Sequence, residues 1–138
     1  NEAVRWYRKA ADQDLAKAQY NLGLMYQRGE GVAQDYNEAV QWHRKAADQN
    51  DDNAQFSLGL MYQRGEGVDQ DYDEVERWFQ KAAYQGHAKA QQLLVSLREP
   101  IEEIRGLLKE KARAEAKEKA EDEAKTKKRN DADAVVKD

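Results

Sequence analysis

Apolar side chains in the first two-thirds of the chain recur three and four residues apart, the spacing of one face of an α-helix. Ala18, Leu22, Met25 and Tyr26 define such a face on a helix predicted over 16–28, and Ala54, Leu58, Met61 and Tyr62 define its twin over 53–64. Ala39, Trp42 and Ala46 mark a second kind of helix, from about 36 to 49. Between the two kinds lies YQRGEGVAQDY, Tyr26 to Tyr36, which returns as YQRGEGVDQDY from Tyr62 to Tyr72 with one change. Gly29 and Gly65 stand where a helix takes a left-handed C-terminal residue, which lets Val32 fold back onto the helix pair. Asp35 with Glu38, and Asp71 with Glu74, have the spacing of a capping box, predicting both side chains on free backbone N–H groups. Asp14, Asn50 and Gly86 close the second helix of each unit and are residue types that tolerate positive φ. A phosphate-cradling loop would follow a strand and lead into a Lys-Ser/Thr pair. Here the glycines follow a helix and Glu30 would repel an anion, so the stretch is read as a joint between antiparallel helices.

The pairs repeat. Trp6, Trp42 and Trp78 are 36 residues apart, and Trp6–Gln41 laid on Trp42–Arg77 gives 24 identities in 36 positions without a gap. A third copy keeps Trp78, Lys81, Ala82, Ala83, Gln85, Ala90, Gln91 and Leu94. A fixed period of this size predicts an all-α solenoid whose units bury their apolar faces only against neighbours. Gly23 and Gly59 fall mid-helix, where glycine costs about 1 kcal/mol relative to alanine, so a neighbouring helix is expected to approach them closely. The three tryptophans are expected to fill the space between successive pairs as core. Asn1 aligns with Asn37, so the first unit lacks its opening helix and joint, as the tail of a longer array would.

In the third unit Val95 stands at the register of Gly23 and Gly59, Arg98 replaces the tyrosine, and Pro100 and Ile101 fall where a joint would begin. The repeats are therefore assigned to 1–99 and a C-terminal region to 100–138. Pro100 suits the first turn of a new helix, whose Ile101, Ile104, Leu107 and Leu108 form an apolar patch expected to cap the last repeat. Beyond Leu108 the chain is almost wholly Ala, Glu, Lys, Asp and Arg, with 11 cations and 12 anions between Glu99 and Asp138. Pairs such as Glu115/Lys119 and Glu121/Lys125 support a solvated helix. Disorder is expected from Asn130, and self-association through this helix, as in a coiled coil, is the alternative.

Composition then removes several functions. The chain is 36% charged with mean hydropathy −1.12, yet its net charge is only −4 and both signs are interspersed, without the basic stripe of a nucleic-acid binder. No run is long and apolar enough to insert in a membrane. The absence of cysteine removes disulfides and thiolate metal sites and leaves the compartment undetermined, and a signal segment upstream of Asn1 stays compatible with this start. His43 and His87, the only histidines, occupy different repeat positions. His43 takes the place of Tyr7 and is expected on a helix surface; His87 falls in the turn after Gly86. No converging ligand set and no positioned base is visible, so no catalytic, metal or cofactor site is predicted.

The blocks Trp42–Ala47, Ala54–Tyr62 and Gly65–Tyr72 together resemble the Sel-one-like repeat family, a relative of the tetratricopeptide repeats, over Asn1 to about Arg98. The resemblance implies a right-handed α-solenoid that acts as a non-enzymatic adaptor or scaffold, gripping a protein or peptide on a concave face; many members are bacterial. By that resemblance the concave face takes Lys17, Tyr20, Asn21, Leu24, Gln27 and Arg28 from the first unit's opening helix. From the next it takes Asn53, Phe56, Ser57, Leu60, Gln63 and Arg64, and from the last Lys89, Gln92, Leu93 and Ser96. Asn21, Ser57, Leu24 and Leu60 are expected to be exposed, whereas Tyr20 and Phe56 equally suit packing between repeats. Some secreted relatives stitch each repeat with a disulfide, and a few are linked to penicillin-like compounds. Without cysteine this chain departs from that branch, so a β-lactam-binding or hydrolase activity is only the alternative reading.

Overall fold

The structure, a computed structural model, describes residues 2–137, and the side chains within that span except those at 99–101, 136 and 137. The described residues form six helices: α1 (Glu2–Asp12), α2 (Ala16–Arg28), α3 (Tyr36–Asp48), α4 (Asp52–Arg64), α5 (Tyr72–Tyr84) and α6 (Ala88–Lys137). Packing divides the chain into a unit Asn1–Leu97 and a unit Arg98–Asp138. Within the first, α1 packs on α2, α2 on α3, α3 on α4 and α4 on α5. The molecule is an α-solenoid built from the predicted helix pairs.

Local chemistry sets each boundary. α2 and α4 end in left-handed Gly29 (φ +70°) and Gly65 (φ +68°), while Asp14, Asn50 and Gly86 take φ of 67°, 71° and 93° at the other turns. The Asp35 carboxylate accepts from the Glu38 N–H at 3.1 Å, and Asp71 accepts from the N–H groups of Asp73 and Glu74. Only half of the expected capping box forms. The N–H of Asp35 already donates to the Tyr26 carbonyl and that of Asp71 to Tyr62, which leaves no donor for the glutamate to meet. Glu74 instead accepts the indole N–H of Trp78 at 2.9 Å. Each joint is pinned to the helix before it, because Gln34 and Gln70 donate to the carbonyls of Gln27 and Gln63 at 2.8 Å. The joint also makes a contact between repeats: a Cβ on Gly67 (φ +74°) would fall inside the contact distance of the Tyr36 carbonyl, at the start of α3.

Two clusters form the core, and they are built alike. Trp42 is buried among Val4, Ala11, Ala18 and Leu22, and Trp78 among Val40, Ala47, Ala54 and Leu58, the same four repeat positions. Lys45 and Lys81 lie over the two indoles at 4.6 and 4.7 Å. Val32 and Val68 fold back from the joints onto these clusters, as the pattern predicts. The expectation of three core tryptophans holds for Trp42 (8% exposed) and Trp78 (2%) but fails for Trp6, which is 65% exposed. A tryptophan here is buried by the helix pair before it, and no described pair precedes α1.

The mid-helix glycines meet rings, as their cost requires. A Cβ on Gly23 would lie 2.7 Å from the His43 ring, and one on Gly59 would lie 2.5 Å from the Phe79 ring. Position 43 is thus an aromatic core position, and the expected surface placement of His43 is overturned: the residue is 0% exposed.

A polar ladder runs beside the core. Gln49 donates to Gln19 Oε1 at 2.8 Å, and 36 residues on Gln85 donates to Gln55 Oε1 at 2.9 Å. Gln19 and Gln55, each 1% exposed, donate in turn to the carbonyls of Ala11 and Ala47, at the end of the preceding helix. Interior amides need such partners, and the ladder supplies them while fixing the register of adjacent units.

In the second unit the helical assignment passes through Pro100, so no new helix starts there, and it continues to Lys137 instead of stopping near Asn130. Alanine and alternating charges at helical spacing carry it that far. Ile104, Leu107 and Leu108 are exposed; the side chain of Ile101, the fourth member of the expected patch, lies outside the described residues.

Candidate functional site

The opening helices α2 and α4 carry the stripe assigned to partner binding. Lys17, Arg28, Asn53 and Arg64 are exposed, and Asn21, Leu24, Gln27, Leu60 and Gln63 are half-buried. On α6, Lys89, Gln92 and Ser96 are exposed and Leu93 is half-buried.

The two aromatics of the stripe pack inside the protein. Tyr20 lies against His43 with ring centroids 5.6 Å apart. Phe56 stacks between Phe79 at 5.4 Å and His87 at 4.6 Å. His87 also accepts the Ala90 N–H on Nδ1, which caps α6, and its Nε2 meets Asn53 Oδ1 at 3.2 Å. The turn before α6 therefore lies over this part of α4. Ser57, expected to be exposed, is only 8% accessible, whereas its counterpart Asn21 is half-buried.

Leu24 and Leu60 are left as partly open apolar residues at one register, one turn before the exposed guanidinium groups of Arg28 and Arg64. Arg64 stands 4.0 Å from the half-buried Glu66 and is itself open to water, so a contact this long holds it only weakly.

His43 is the one strongly perturbed titrating group among the described residues. Its Nε2 lies 3.1 Å from Gln27 Oε1, which makes Nε2 the donor, and its buried Nδ1 has no hydrogen-bond partner. Burial lowers its pKa from 6.5 to about 4 by penalising the cation. The unfolded chain therefore binds this proton first on acidification. Stability from this residue is complete above about pH 6.5 and is lost as pH falls toward 4, by about 3 kcal/mol in all. His43→Phe, which copies Phe79, should remove that loss. In urea denaturation the variant's advantage over wild type should widen by about 2–3 kcal/mol between pH 7.5 and 4.5.

The amide ladder and the burial of His43 were not anticipated. Both were signalled by equivalences within the chain: Gln13/Gln49/Gln85 and Gln19/Gln55/Gln91 recur with the period, and His43 aligns with Phe79 as well as with Tyr7. Among the described residues no helix is long and apolar enough to cross a membrane.

The Sel1 repeat matches residues 1–15, 16–51 and 52–87. No curated protein sequence matches the chain. Among solved structures, a protective antigen present in uropathogenic Escherichia coli strains, with an SLR fold, is similar at 45% identity and a TM-score of 0.67 over 68% of this chain. A Sel1 repeat protein from Oxalobacter formigenes is similar at 48% identity and 0.67 over 70%. The Helicobacter pylori cysteine-rich protein B is similar at 27% identity and 0.63 over 66% of this chain and 68% of that one. The chain spans 20% of the first of these proteins and 39% of the second.

Proposed function

The chain belongs to the Sel1 repeat family, and from that premise we propose that it is a non-enzymatic interaction module that binds a protein or peptide along α2 and α4. The observation that carries this reading is the recurrence of a partly open leucine, Leu24 and Leu60, followed in both helices by an exposed arginine. Apolar anchors with a polar rim are what an interface requires, and neither leucine is needed to fill the two core clusters. Gln63 and Asn21 flank them with amides that suit the backbone of an incoming segment. The partner expected is a segment with two apolar side chains for the leucines and acidic groups for Arg28 and Arg64.

Leu24→Glu with Leu60→Glu tests this. The double variant should keep the helical circular dichroism of the wild type and lose at least tenfold in affinity for peptides selected on the wild-type chain from a display library. Undiminished binding would remove this face from consideration. The rival hydrolase reading finds little support in His43, because a ring at 0% exposure does not touch a substrate.

A further inference from the structure

A polar groove of about 550 Å³ lies where the end of α3 and the turn after it meet α5. Asn50 and the buried Gln55 line it from the turn and α4, and Arg77, Lys81 and Tyr84 line it from α5. None of these residues belongs to the α2/α4 face. The equivalent positions one period earlier show what is particular to this groove. There three carboxylates, Asp12, Asp14 and Asp48, accompany Arg44 and Lys45. Here Asn50 and Tyr84 stand in place of two of the three, and Arg77 takes the place of the neutral Gln41. Two cations are left with the single carboxylate of Asp48. Arg77 and Lys81 are one turn apart on α5, and both lie over the Trp78 indole, at 5.2 and 4.7 Å. Like charges at that spacing repel. Little offsets the repulsion. Arg77, itself open to water, meets Glu74 Oε1 at 3.4 Å, while the other oxygen of Glu74 already accepts the indole N–H. Lys81 has no ion pair among the described residues. Beside them Tyr84 is 94% exposed, at the position that holds Asp12 and Asp48 in the earlier units.

We propose that this groove is a second interaction site, and that it takes a short acidic segment of another protein. One carboxylate of that segment sits between Arg77 and Lys81, and an adjacent aromatic side chain lies on Tyr84. Charge decides the sign of the partner: an anion relieves the repulsion between the two cations, and a cation adds to it. Asp48 and the amides decide its class. A doubly charged phosphate is opposed by the Asp48 carboxylate, whereas the side-chain amides of Asn50, Gln80 and Gln85 offer donors and acceptors together, as a peptide backbone does. Tyrosine and arginine are also the side chains that interfaces use as anchors. The preceding unit, with its carboxylates and no aromatic at this position, does not suit the same segment. The site therefore belongs to one unit although the fold around it repeats.

The test is a nitrogen-15 NMR titration of the full chain with a short capped peptide of alternating glutamate and phenylalanine. Amide shifts should saturate and centre on Asn50, Arg77, Tyr84 and Gln85. Arg77→Gln with Tyr84→Asp gives the groove the side chains of the earlier unit at two exposed positions. That variant should bind at least tenfold more weakly while keeping the helical circular dichroism of the wild type. The same peptide with glutamine for glutamate should also lose at least tenfold. Leu24→Glu with Leu60→Glu, which disables the other face, should leave this binding intact, so either site can fail without the other. The proposal is overturned if no shifts appear in the groove, if the Arg77→Gln, Tyr84→Asp variant binds undiminished, or if the leucine variant loses the peptide. Equal shifts from inorganic phosphate at the same concentration would also overturn it, because the groove would then be an anion site without peptide recognition.

Discussion

Trp78→Ala should destabilise the protein by about 4 kcal/mol, while Trp6→Ala should change stability by less than about 0.5 kcal/mol. The two residues are the same amino acid at the same repeat position, so the contrast isolates the effect of neighbours. Trp78 is 2% exposed, fills the slot formed by Val40, Ala47, Ala54 and Leu58, and donates its indole N–H to Glu74. Truncation leaves a cavity between two helix pairs and strips apolar area from both, and the alanines lining it cannot close the gap. Trp6 is 65% exposed and loses little by truncation. Urea denaturation followed by far-ultraviolet circular dichroism at pH 7.5 measures both. A cost for Trp6 close to that for Trp78 would mean that the α1 face is covered in solution.

Gly67→Ala is the second large effect, a loss of about 3 kcal/mol. Part of it is conformational, since Gly67 sits at φ +74° and an L side chain there costs about 1–2 kcal/mol. The rest is steric, because the new methyl would meet the carbonyl and backbone of Tyr36 and the side chain of Val40. Backbone at the first turn of α3 cannot rotate away as a side chain could. Gly65→Ala is the control: it has nearly the same φ, but its Cβ would stand 3.6 Å from Gln70, an ordinary contact. That variant should lose only about 1 kcal/mol. Equal midpoints for the two variants in thermal denaturation would show that the joint does not hold α3.

The period of 36 residues carried most of the architecture. Helix limits, left-handed turn residues and the glycines under close approach were legible because each has a local cause repeated in the chain. Environment was not legible in the same way. Trp6 reads like Trp42, yet its burial depends on a pair that the described residues do not supply. His43 reads as a polar substitution for Tyr7, but what decides its placement is Gly23 on another helix, a relation visible only by pairing Phe79 with Gly59. Ser57 is buried where its counterpart Asn21 is half-buried, a difference between units that matching repeat positions do not reveal. The capping glutamates failed for a similar reason: the donor they would have met is spent on the carbonyl of Tyr26 or Tyr62. The stripe on α2 and α4 was legible as a pattern, but which members face outward depended on contacts between units.

The ladder of glutamines has a consequence for how such an array changes length over generations. Every unit joins its own two helices by one amide–amide bond and gives a second amide to a carbonyl of the unit before, as Gln19 does to Ala11 and Gln55 to Ala47. Duplicating or excising a block of 36 residues leaves every inner amide matched, so gene-level copying errors of that size are structurally silent except at the two ends. An insertion of any other length between Ala11 and Gln19, or between Ala47 and Gln55, would part a buried amide from the carbonyl it meets.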